Sequence, residues 1–275
     1  MLGSLSLEQI ETLNHQPTFI VCCPRSGSTW LRLLLDGHPD IACGNETFLF
    51  TDSAGFGNIL RAYRGELGFR GLARYVSEDE LFVFLRDFSN RCFDAYLDRR
   101  KRTFLVEKSV DHALHLDTVA RIYPDAKIIH LVRDGRDVAC SLLDAAAHWQ
   151  PSWPHTIPAA ARLWKHYNVA VADQCNKLQP TQYLRIQYEG LLREPAAELR
   201  KAITFVGAEM PSDTTVSAIV NANRFSVLRD KHASWRGGRF FRYGTSGEWV
   251  DRFSERDIHD FNEEAGDVLA ALGYS

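Results

Sequence analysis

The chain has 275 residues, of which 45% are hydrophobic, and its 32 Lys and Arg against 35 Asp and Glu give a formal net charge of −3. This length and apolar content suffice for one large core, and the nearly balanced charge argues against a general nucleic-acid binder. No stretch approaches the roughly 18 consecutive apolar residues of a membrane-spanning helix.

The N-terminal sequence MLGSLSLEQIETLNHQ lacks the basic start and the long apolar core of a secretory signal peptide. The six cysteines, at positions 22, 23, 43, 92, 140 and 175, are scattered and form no C-x-x-C pair. A chain of this length needs no disulfide scaffold. Buried free thiols in a reducing compartment are therefore predicted, with the cytoplasm as the location.

Apolar runs alternate with amphipathic periods along the chain. The runs predict buried strands at residues 18–23, 41–43, 103–107, 127–132 and 182–186. The amphipathic periods predict helices at residues 28–37, 78–97, 112–122, 134–147, 159–178, 195–206, 212–222 and 255–272, after a short N-terminal helix within residues 1–16. Strands that are apolar throughout and alternate with helices predict an α/β fold with a central parallel sheet flanked by helices.

Polar segments follow three of the predicted strands. The first, PRSGSTW at residues 24–30, joins a strand to a helix, so it collects backbone N–H groups at a helix N-terminus with Arg25 beside them. The other two are Glu107-Lys108-Ser109 and Arg133-Asp134-Gly135-Arg136-Asp137. Ligands of open parallel sheets bind at the carboxyl ends of the strands, so these segments are expected to meet around one anion site.

The segment RDGRDVACS, at residues 133–141, has a similar arrangement to the first turn. A predicted strand stops at Arg133, and Ser141 follows about two turns into the next helix, so an arginine and a hydroxyl flank a helix start, as suits a phosphate. In the alternative interpretation, Asp134 and Asp137 lie near the positive end of the helix and pair with Arg136. That alternative explains the aspartates better than it explains Arg133.

A third segment, RYGTSGEW at residues 242–249, closes a basic stretch that spans residues 224–242. Its glycines allow the backbone to approach a ligand closely. The common nucleotide motifs are absent, because Ser28 follows Gly27 where the Walker A pattern needs its lysine, and G-x-G-x-x-G is missing too. Taken alone, the first turn is equally consistent with an ordinary helix cap by Ser26 or Ser28.

Together the three segments resemble the sulfotransferase family that uses 3′-phosphoadenosine 5′-phosphosulfate (PAPS). PRSGSTW is similar to its 5′-phosphosulfate loop, RDGRDVACS to its 3′-phosphate motif, and RYGTSGEW to its C-terminal R-x-G-x-x-G-x-W segment. The resemblance covers most of residues 17–253 and implies a P-loop-like three-layer fold in a single domain, residues 1–275. Residues 48–102 and 145–160 match loosely and are expected to be insertions that build the acceptor site.

The resemblance also implies which residues bind PAPS. Those implied for the 5′-phosphosulfate are Arg25, Ser26, Gly27, Ser28 and Thr29. Those implied for the 3′-phosphate region are Arg133, Ser141, Arg242, Tyr243 and Gly244. Trp30 and Phe225 would sandwich the adenine, and Tyr188 would touch its edge, although core packing is the alternative for Trp30 and Tyr188.

By the same resemblance, Arg25 would neutralise the charge that builds on the leaving phosphate, and Lys108 would steady the transferring sulfonate. Sulfonate transfer through a loose, in-line transition state depends on positioning and charge neutralisation, by analogy with phosphoryl transfer. An ion pair with Glu107 or Asp111 is the alternative for Lys108. No metal is predicted, because the helically spaced histidines at positions 112 and 115 have no evident partner ligand.

The general base depends on the branch of the family. The cytosolic branch has a histidine two residues after the lysine, where this chain has Val110. A branch that resembles the tyrosylprotein and several bacterial sulfotransferases has a glutamate just past the first helix and a short strand, and Glu46 fits that spacing. Glu46 is therefore the predicted base, with a surface turn as its alternative role and His112 as the reserve base.

The predicted activity is transfer of a sulfonate from PAPS to a hydroxyl, or an amine, of a small-molecule, carbohydrate or carrier-linked acceptor. A metal-dependent nucleotide kinase is the second candidate, and the missing Walker lysine disfavours it. A catalytically silent nucleotide-binding module is the third. In that case Glu46 and Lys108 would be incidental.

Overall fold

A computed structural model describes residues 16–52, 54–68, 71–235 and 244–275 of the chain. Five strands form its sheet in the order β2-β3-β1-β4-β5, and every neighbouring pair is parallel. The strands are β1 (Thr18–Val21), β2 (Ile41–Cys43), β3 (Phe104–Lys108), β4 (Lys127–Val132) and β5 (Tyr183–Gln187). The predicted parallel α/β sheet is thereby confirmed.

Helices connect and cover these strands. In the described ranges they are α1 (Ser28–Asp36), α2 (Gly57–Arg64), α3 (Glu78–Arg100), α4 (Leu116–Ile122), α5 (Gly135–His148), α6 (Ile157–Cys175), α7 (Tyr188–Arg193), α8 (Pro195–Val206), α9 (Asp213–Ala222), α10 (Phe225–Lys231), α11 (Glu248–Arg252) and α12 (Glu255–Ala271). The long ones agree with the predicted helices to within a few residues.

Strands β1 to β4 are buried on both faces, which explains their mainly apolar sequences, whereas the edge strand β5 is partly exposed and carries Arg185 on its exposed side. Successive side chains of a strand point to opposite faces. In β1, Phe19 and Val21 enter the core formed with α3, α4, α5, α6 and α12. Ile20 enters a second core formed with α1, α8 and α9. The result is the predicted three-layer arrangement, with helices on both sides of the sheet.

Some predicted boundaries were wrong. Strand β1 ends at Val21 rather than at residue 23, because Cys23 already accepts the backbone N–H of Ser26 in the following turn (3.2 Å). The predicted helix 112–122 is a 3₁₀ turn at Val110–Leu114 followed by α4. Four helices, α2, α7, α10 and α11, were not predicted, because they are too short to show an amphipathic period. Of the predicted N-terminal helix, residues 1–15 lie outside the described residues.

The strand order brings the three polar strand ends together. In the register, Ile20 of β1 lies beside Lys108 of β3, and Val21 lies beside His130 of β4. Strand β1 is therefore flanked by β3, which ends at Lys108, and by β4, which ends at Val132. Arg133 follows Val132 directly. The chain order reverses around β1, which is where open α/β sheets bind ligands.

The six cysteines are free thiols. Burial raises the pKa of Cys22 and of Cys140 to about 12, so both thiols are protonated at neutral pH. In the described part of the chain, no helix combines the length and the apolar character that crossing a membrane requires. Cytoplasmic location and the division into one domain with two insertions stay predictions.

Gly135, the first residue of α5, generates a test of this packing. A Cβ atom there would lie 2.6 Å from Phe261 and 2.7 Å from Trp164, both fully buried. We expect Gly135→Ala to lower the free energy of unfolding by about 1–3 kcal/mol through overpacking. Denaturant unfolding measures this change.

Gly190→Ala in α7 is the matched control, because the nearest atom to its Cβ would be 3.8 Å away. Alanine is the better helix former, so we expect this variant to be unchanged or stabilised by up to about 1 kcal/mol. Equal stability of the two variants would contradict the tight contact at Gly135.

Candidate functional site

The turn after β1 adopts a backbone that few sequences allow. Arg25 has φ 71° and Gly27 has φ 100°, both in the left-handed region, where a non-glycine residue is uncommon. Gly27 is the N-cap of α1, and no side chain caps this helix. The alternative in which Ser26 or Ser28 caps α1 is therefore not observed. The N-terminal amides of α1 lack a side-chain acceptor and suit an anion.

Glycine at position 27 is also required by a close neighbour. A Cβ atom there would lie 2.5 Å from Cδ2 of Tyr188, so the turn lies directly against the Tyr188 ring. Trp30 packs edge-on to the same ring, with centroids 6.0 Å apart, and its indole N–H donates to the carbonyl of Asn223 (2.9 Å). The structure thus brings Gly27, Trp30 and Tyr188 together, and Trp30 and Tyr188 are largely buried in the core on this side of the sheet, as the core-packing alternative expected.

The predicted adenine sandwich is closed in this structure. The ring centroids of Trp30 and Phe225 are 4.8 Å apart, with the ring planes tilted by 53°. A purine between two rings needs a separation of roughly 7 Å, twice an ordinary carbon contact. Phe225 also lies against Gly244, where a Cβ atom would come within 2.2 Å of its ring. The rings therefore form an aromatic contact rather than an open slot.

Arg133 joins the three segments that resemble the PAPS-binding motifs. Its Nη1 donates to the carbonyl of Arg25 (3.3 Å) and its Nη2 to the carbonyl of Thr245 (3.2 Å). Its guanidinium carbon lies 4.5 Å from the centre of the Tyr188 ring. Its Nε is buried and has no hydrogen-bond partner among the described residues. A buried guanidinium with a spare donor fits an anion at this position.

Ser141 and Arg25, predicted to bind different ends of the nucleotide, contact one another. Arg25 Nε donates to Ser141 Oγ (3.0 Å), and its guanidinium carbon lies 5.3 Å from the centre of the Trp149 ring. Ser26 Oγ is buried without a partner in the described residues. Arg242 and Tyr243, also predicted to bind PAPS, lie outside the described residues.

Asp137 is a residue whose role the sequence did not reveal. It is fully buried, and its two oxygens accept the backbone N–H groups of Gly247 (2.8 Å) and Trp249 (3.1 Å). Asp134, by contrast, pairs with Arg136 (2.8 Å), as the alternative interpretation expected. Asp137 therefore attaches the third segment to α5.

Glu46 and Lys108 form an ion pair, with Oε1 and Nζ 3.0 Å apart. The Lys108 side chain is 6% exposed and the Glu46 side chain 30% exposed, so the carboxylate is the more accessible partner. The alternative partners for Lys108, Glu107 and Asp111, make their own contacts elsewhere. Glu107 faces His112, and Asp111 accepts a hydrogen bond from Tyr167 (2.5 Å).

His112 lies away from the cleft and has no exposed surface. Its Nε2 accepts the N–H of Phe50 (3.3 Å), and its Nδ1 is 3.0 Å from Glu107. Neither nitrogen faces an open site, which argues against His112 as the reserve base. His115 lies elsewhere, with its Nδ1 3.8 Å from Asp52 Oδ1.

A cleft of about 860 Å³ opens between these groups. Its lining includes Arg25, Ser28, Thr29 and Glu46, together with Asp111 and Tyr167. The loop after α5 also lines it, and there the rings of Trp149 and Trp153 are 5.3 Å apart. The predicted insertion 145–160 therefore contributes many of the lining residues, whereas residues 48–102 contribute only Phe48 among the described residues.

The sequence profile of the sulfotransferase family matches residues 17–212. This chain belongs to the sulfotransferase family. It is 26% identical to a putative protein-tyrosine sulfotransferase of Caenorhabditis briggsae, over 94% of this chain and 89% of that one. The protein-tyrosine sulfotransferase of Drosophila melanogaster is 24% identical, over 93% of this chain and 51% of its own length.

Solved structures show the same fold. A mouse sulfotransferase solved with PAP superposes with a TM-score of 0.62 at 18% identity, covering 94% of this chain and 87% of that one. The sulfotransferase domain of the Synechococcus olefin synthase gives 0.60 at 21% identity, covering 96% and 97%. The protein is thus a sulfotransferase with tyrosylprotein-sulfotransferase-like relatives and the P-loop-like α/β fold.

A substitution at Asp137 tests the contact that attaches residues 247–249 to α5 in this sulfotransferase. Asparagine keeps one oxygen acceptor and leaves a buried N–H without a partner. We expect Asp137→Asn to lower the free energy of unfolding by about 1–3 kcal/mol. Denaturant unfolding measures it, and hydrogen exchange should rise in residues 244–252.

Asp144→Asn is the matched control, since Asp144 lies on the same helix and pairs with Arg252 of the same attached segment at the surface (2.9 Å). A pair this exposed contributes at most about 1 kcal/mol. Equal destabilisation by both variants would show that Asp137 has no special part in holding the segment.

Proposed function

We propose that this sulfotransferase transfers the sulfonate of PAPS to a hydroxyl, or an amine, of its acceptor, with Glu46 as the general base. One observation carries the proposal: the uncapped turn at Gly27 and the Glu46 carboxylate border the same cleft. An anion held at the turn and an acceptor in the cleft would meet between Arg25 and Glu46. In-line transfer requires such an arrangement.

The donor groups suit a nucleotide with two separate anionic ends. The amides at the start of α1, with Arg25, would hold the 5′-phosphosulfate. Arg133, with its spare Nε, and Ser141 would hold the 3′-phosphate. PAPS supplies an activated sulfonate with PAP as the leaving group. Phe225 has to move from its contact with Trp30 for an adenine to stack there.

The charges at the cleft suit proton removal without a metal. The acceptor oxygen gains the sulfonate and loses its proton to Glu46, while the departing phosphate oxygen keeps its electron pair beside Arg25. Lys108 Nζ lies 3.0 Å from Glu46. Its ammonium group would stabilise the negative charge that passes from the acceptor to the leaving group. Glu46 is thus paired with a cation yet open to the cleft.

The lining of the cleft bears on the acceptor. Trp149 and Trp153 offer two aromatic faces beside Arg25, which favours an acceptor whose hydroxyl is carried by a flat, partly apolar group. Relatives of this chain carry the name protein-tyrosine sulfotransferase. A phenolic hydroxyl, either in a peptide or in a small molecule, is therefore the proposed acceptor class.

Transfer of label from ³⁵S-PAPS to a mixed panel tests the function. The panel contains tyrosine peptides, simple phenols, aliphatic alcohols, carbohydrates and amines. We expect label in the phenolic members. PAP binding without any transfer would instead indicate the silent module, and transfer of phosphate from γ-³²P-ATP would indicate the kinase.

Arg133→Ala tests the 3′-phosphate assignment. Loss of a charge-assisted hydrogen bond costs roughly 1.5–3 kcal/mol, so we expect PAP to bind about 10- to 150-fold more weakly. AMP, which lacks the 3′-phosphate, should lose clearly less affinity than PAP, and its smaller loss reflects the hydrogen bond from Arg133 to the Arg25 carbonyl in the 5′-phosphate turn. Calorimetry with the two nucleotides measures the difference, and an equal loss for both would count against the assignment.

Excess EDTA tests the neutralisation of charge by Arg25 and Lys108. If these side chains do the work that Mg²⁺ does in kinases, turnover should survive the chelator. The rate of ³⁵S transfer with and without EDTA measures this. Complete loss of turnover that Mg²⁺ restores would overturn this part of the mechanism.

Glu46→Gln tests the base. Glutamine has nearly the same shape but cannot accept the proton, so kcat should fall by about 10²–10⁴-fold while PAP affinity stays close to wild type. The loss should be smaller for acidic phenols than for aliphatic alcohols, because an acidic hydroxyl needs less help in losing its proton. A near-normal kcat would show that another group is the base.

A further inference from the structure

The loop that carries Glu46 is held through its backbone by side chains at the end of β3. The N–H of Thr47 lies within hydrogen-bond distance of Glu107 Oε1 (3.2 Å) and Ser109 Oγ (3.0 Å). The N–H of Phe48 donates to Ser109 Oγ (3.1 Å), and that of Phe50 donates to His112 Nε2 (3.3 Å). Three side chains, one in β3 and two just after it, thus bind three amides of one loop.

Glu107 is the centre of this network. Its Oε1 also accepts the hydroxyls of Ser109 (2.6 Å) and Thr47 (2.8 Å). Burial by itself would raise the pKa of Glu107, but His112 and the hydrogen bonds from Ser109 and Thr47 hold it below its ordinary value. The carboxylate is therefore charged, although it is only 3% exposed.

His112 lies between the loop and Glu107. Its Nε2 accepts the N–H of Phe50 (3.3 Å), and its Nδ1 lies 3.0 Å from Glu107 Oε2. The buried imidazole therefore links the backbone of the loop to the carboxylate of β3.

The loop needs such support because its backbone is strained. Phe48 has φ 53°, a left-handed conformation that is unfavourable for a bulky residue. Phe48 also lines the cleft, two residues from Glu46. The next residue of β3 after Glu107 is Lys108, which binds the Glu46 side chain itself (3.0 Å).

We propose that Glu107, Ser109 and His112 are positioning residues, which hold loop 46–50 so that the Glu46 carboxylate stays beside Lys108 in the cleft. The proposal rests on the proposed function, in which Glu46 is the base. It gives His112 a role without contact to the acceptor. It also explains why a charged carboxylate is buried directly before the lysine of the site.

Two variants, Glu107→Gln and Ser109→Ala, test the proposal. If one of them fails to fold, the other still provides the test. A misplaced catalytic group costs on the order of 10²-fold in rate, so we expect kcat to fall by about that factor with PAP affinity unchanged. Amide hydrogen exchange of residues 46–50 should rise in both variants. The rate is measured with the panel acceptor that the wild type sulfates fastest.

His130→Gln is the matched control. His130 is equally buried, and its nitrogens contact Tyr183 (3.0 Å) and Asn168 (3.1 Å), away from the loop. We expect it to lose stability but to keep its kcat and the exchange rate of residues 46–50. A loss of kcat in His130→Gln as large as in Glu107→Gln would show that destabilisation alone explains the effect.

A double-mutant cycle separates positioning from general stability. If Glu107 acts through Glu46, adding Glu107→Gln to Glu46→Gln should reduce kcat further by less than about twofold. If the two substitutions lower kcat by independent factors, and amide hydrogen exchange of residues 46–50 is unchanged in Glu107→Gln, the inference is overturned. If Glu46→Gln alone keeps a normal kcat, the proposed base is wrong, and the exchange data still show whether the network holds the loop.

Discussion

The site depends on the position of β1 between β3 and β4. This order places the turn at Gly27, the Lys108 strand end and Arg133 side by side, although they are distant in sequence. Strands β1, β3 and β4 are buried on both faces, so a shift in their register would misplace apolar side chains on both sides of the sheet. The two cores therefore fix the geometry of the polar groups at the strand ends.

Two strained backbone positions lie near the carboxyl ends of the strands. Of the three non-glycine residues with positive φ in the described part of the chain, Arg25 and Phe48 lie at the cleft, while Lys101 only ends α3. Strained backbones persist where their surroundings hold them. Here Arg133 binds the Arg25 carbonyl, and Ser109 binds the Phe48 amide. The residues proposed to bind the nucleotide and to orient the base are also those that stabilise the unusual turns.

Much of this was predictable from sequence, because strand-end motifs depend on local patterns. The buried strands and the turn before Ser28 could be predicted, since apolar runs and motif spacing determine them. The resemblance assigned Glu46 and Lys108 to the site, but the ion pair between them was not predicted. The role of Asp137 could not be predicted, because the two backbone amides that it binds lie 110 residues or more away, whereas its pairing with Arg133 is local (3.7 Å). The Trp30–Phe225 contact was equally hidden, since two aromatic residues in a motif do not reveal whether a ligand separates them.

The uncapped turn and Arg133 are proposed to bind the two ends of PAP. A crystal structure with PAP would locate both ends at once. We expect the 5′-phosphate on the amides at Gly27, Ser28 and Thr29, the 3′-phosphate on Arg133 and Ser141, and an adenine that separates Trp30 from Phe225. A nucleotide bound elsewhere, or bound with the Trp30–Phe225 contact intact, would overturn this assignment.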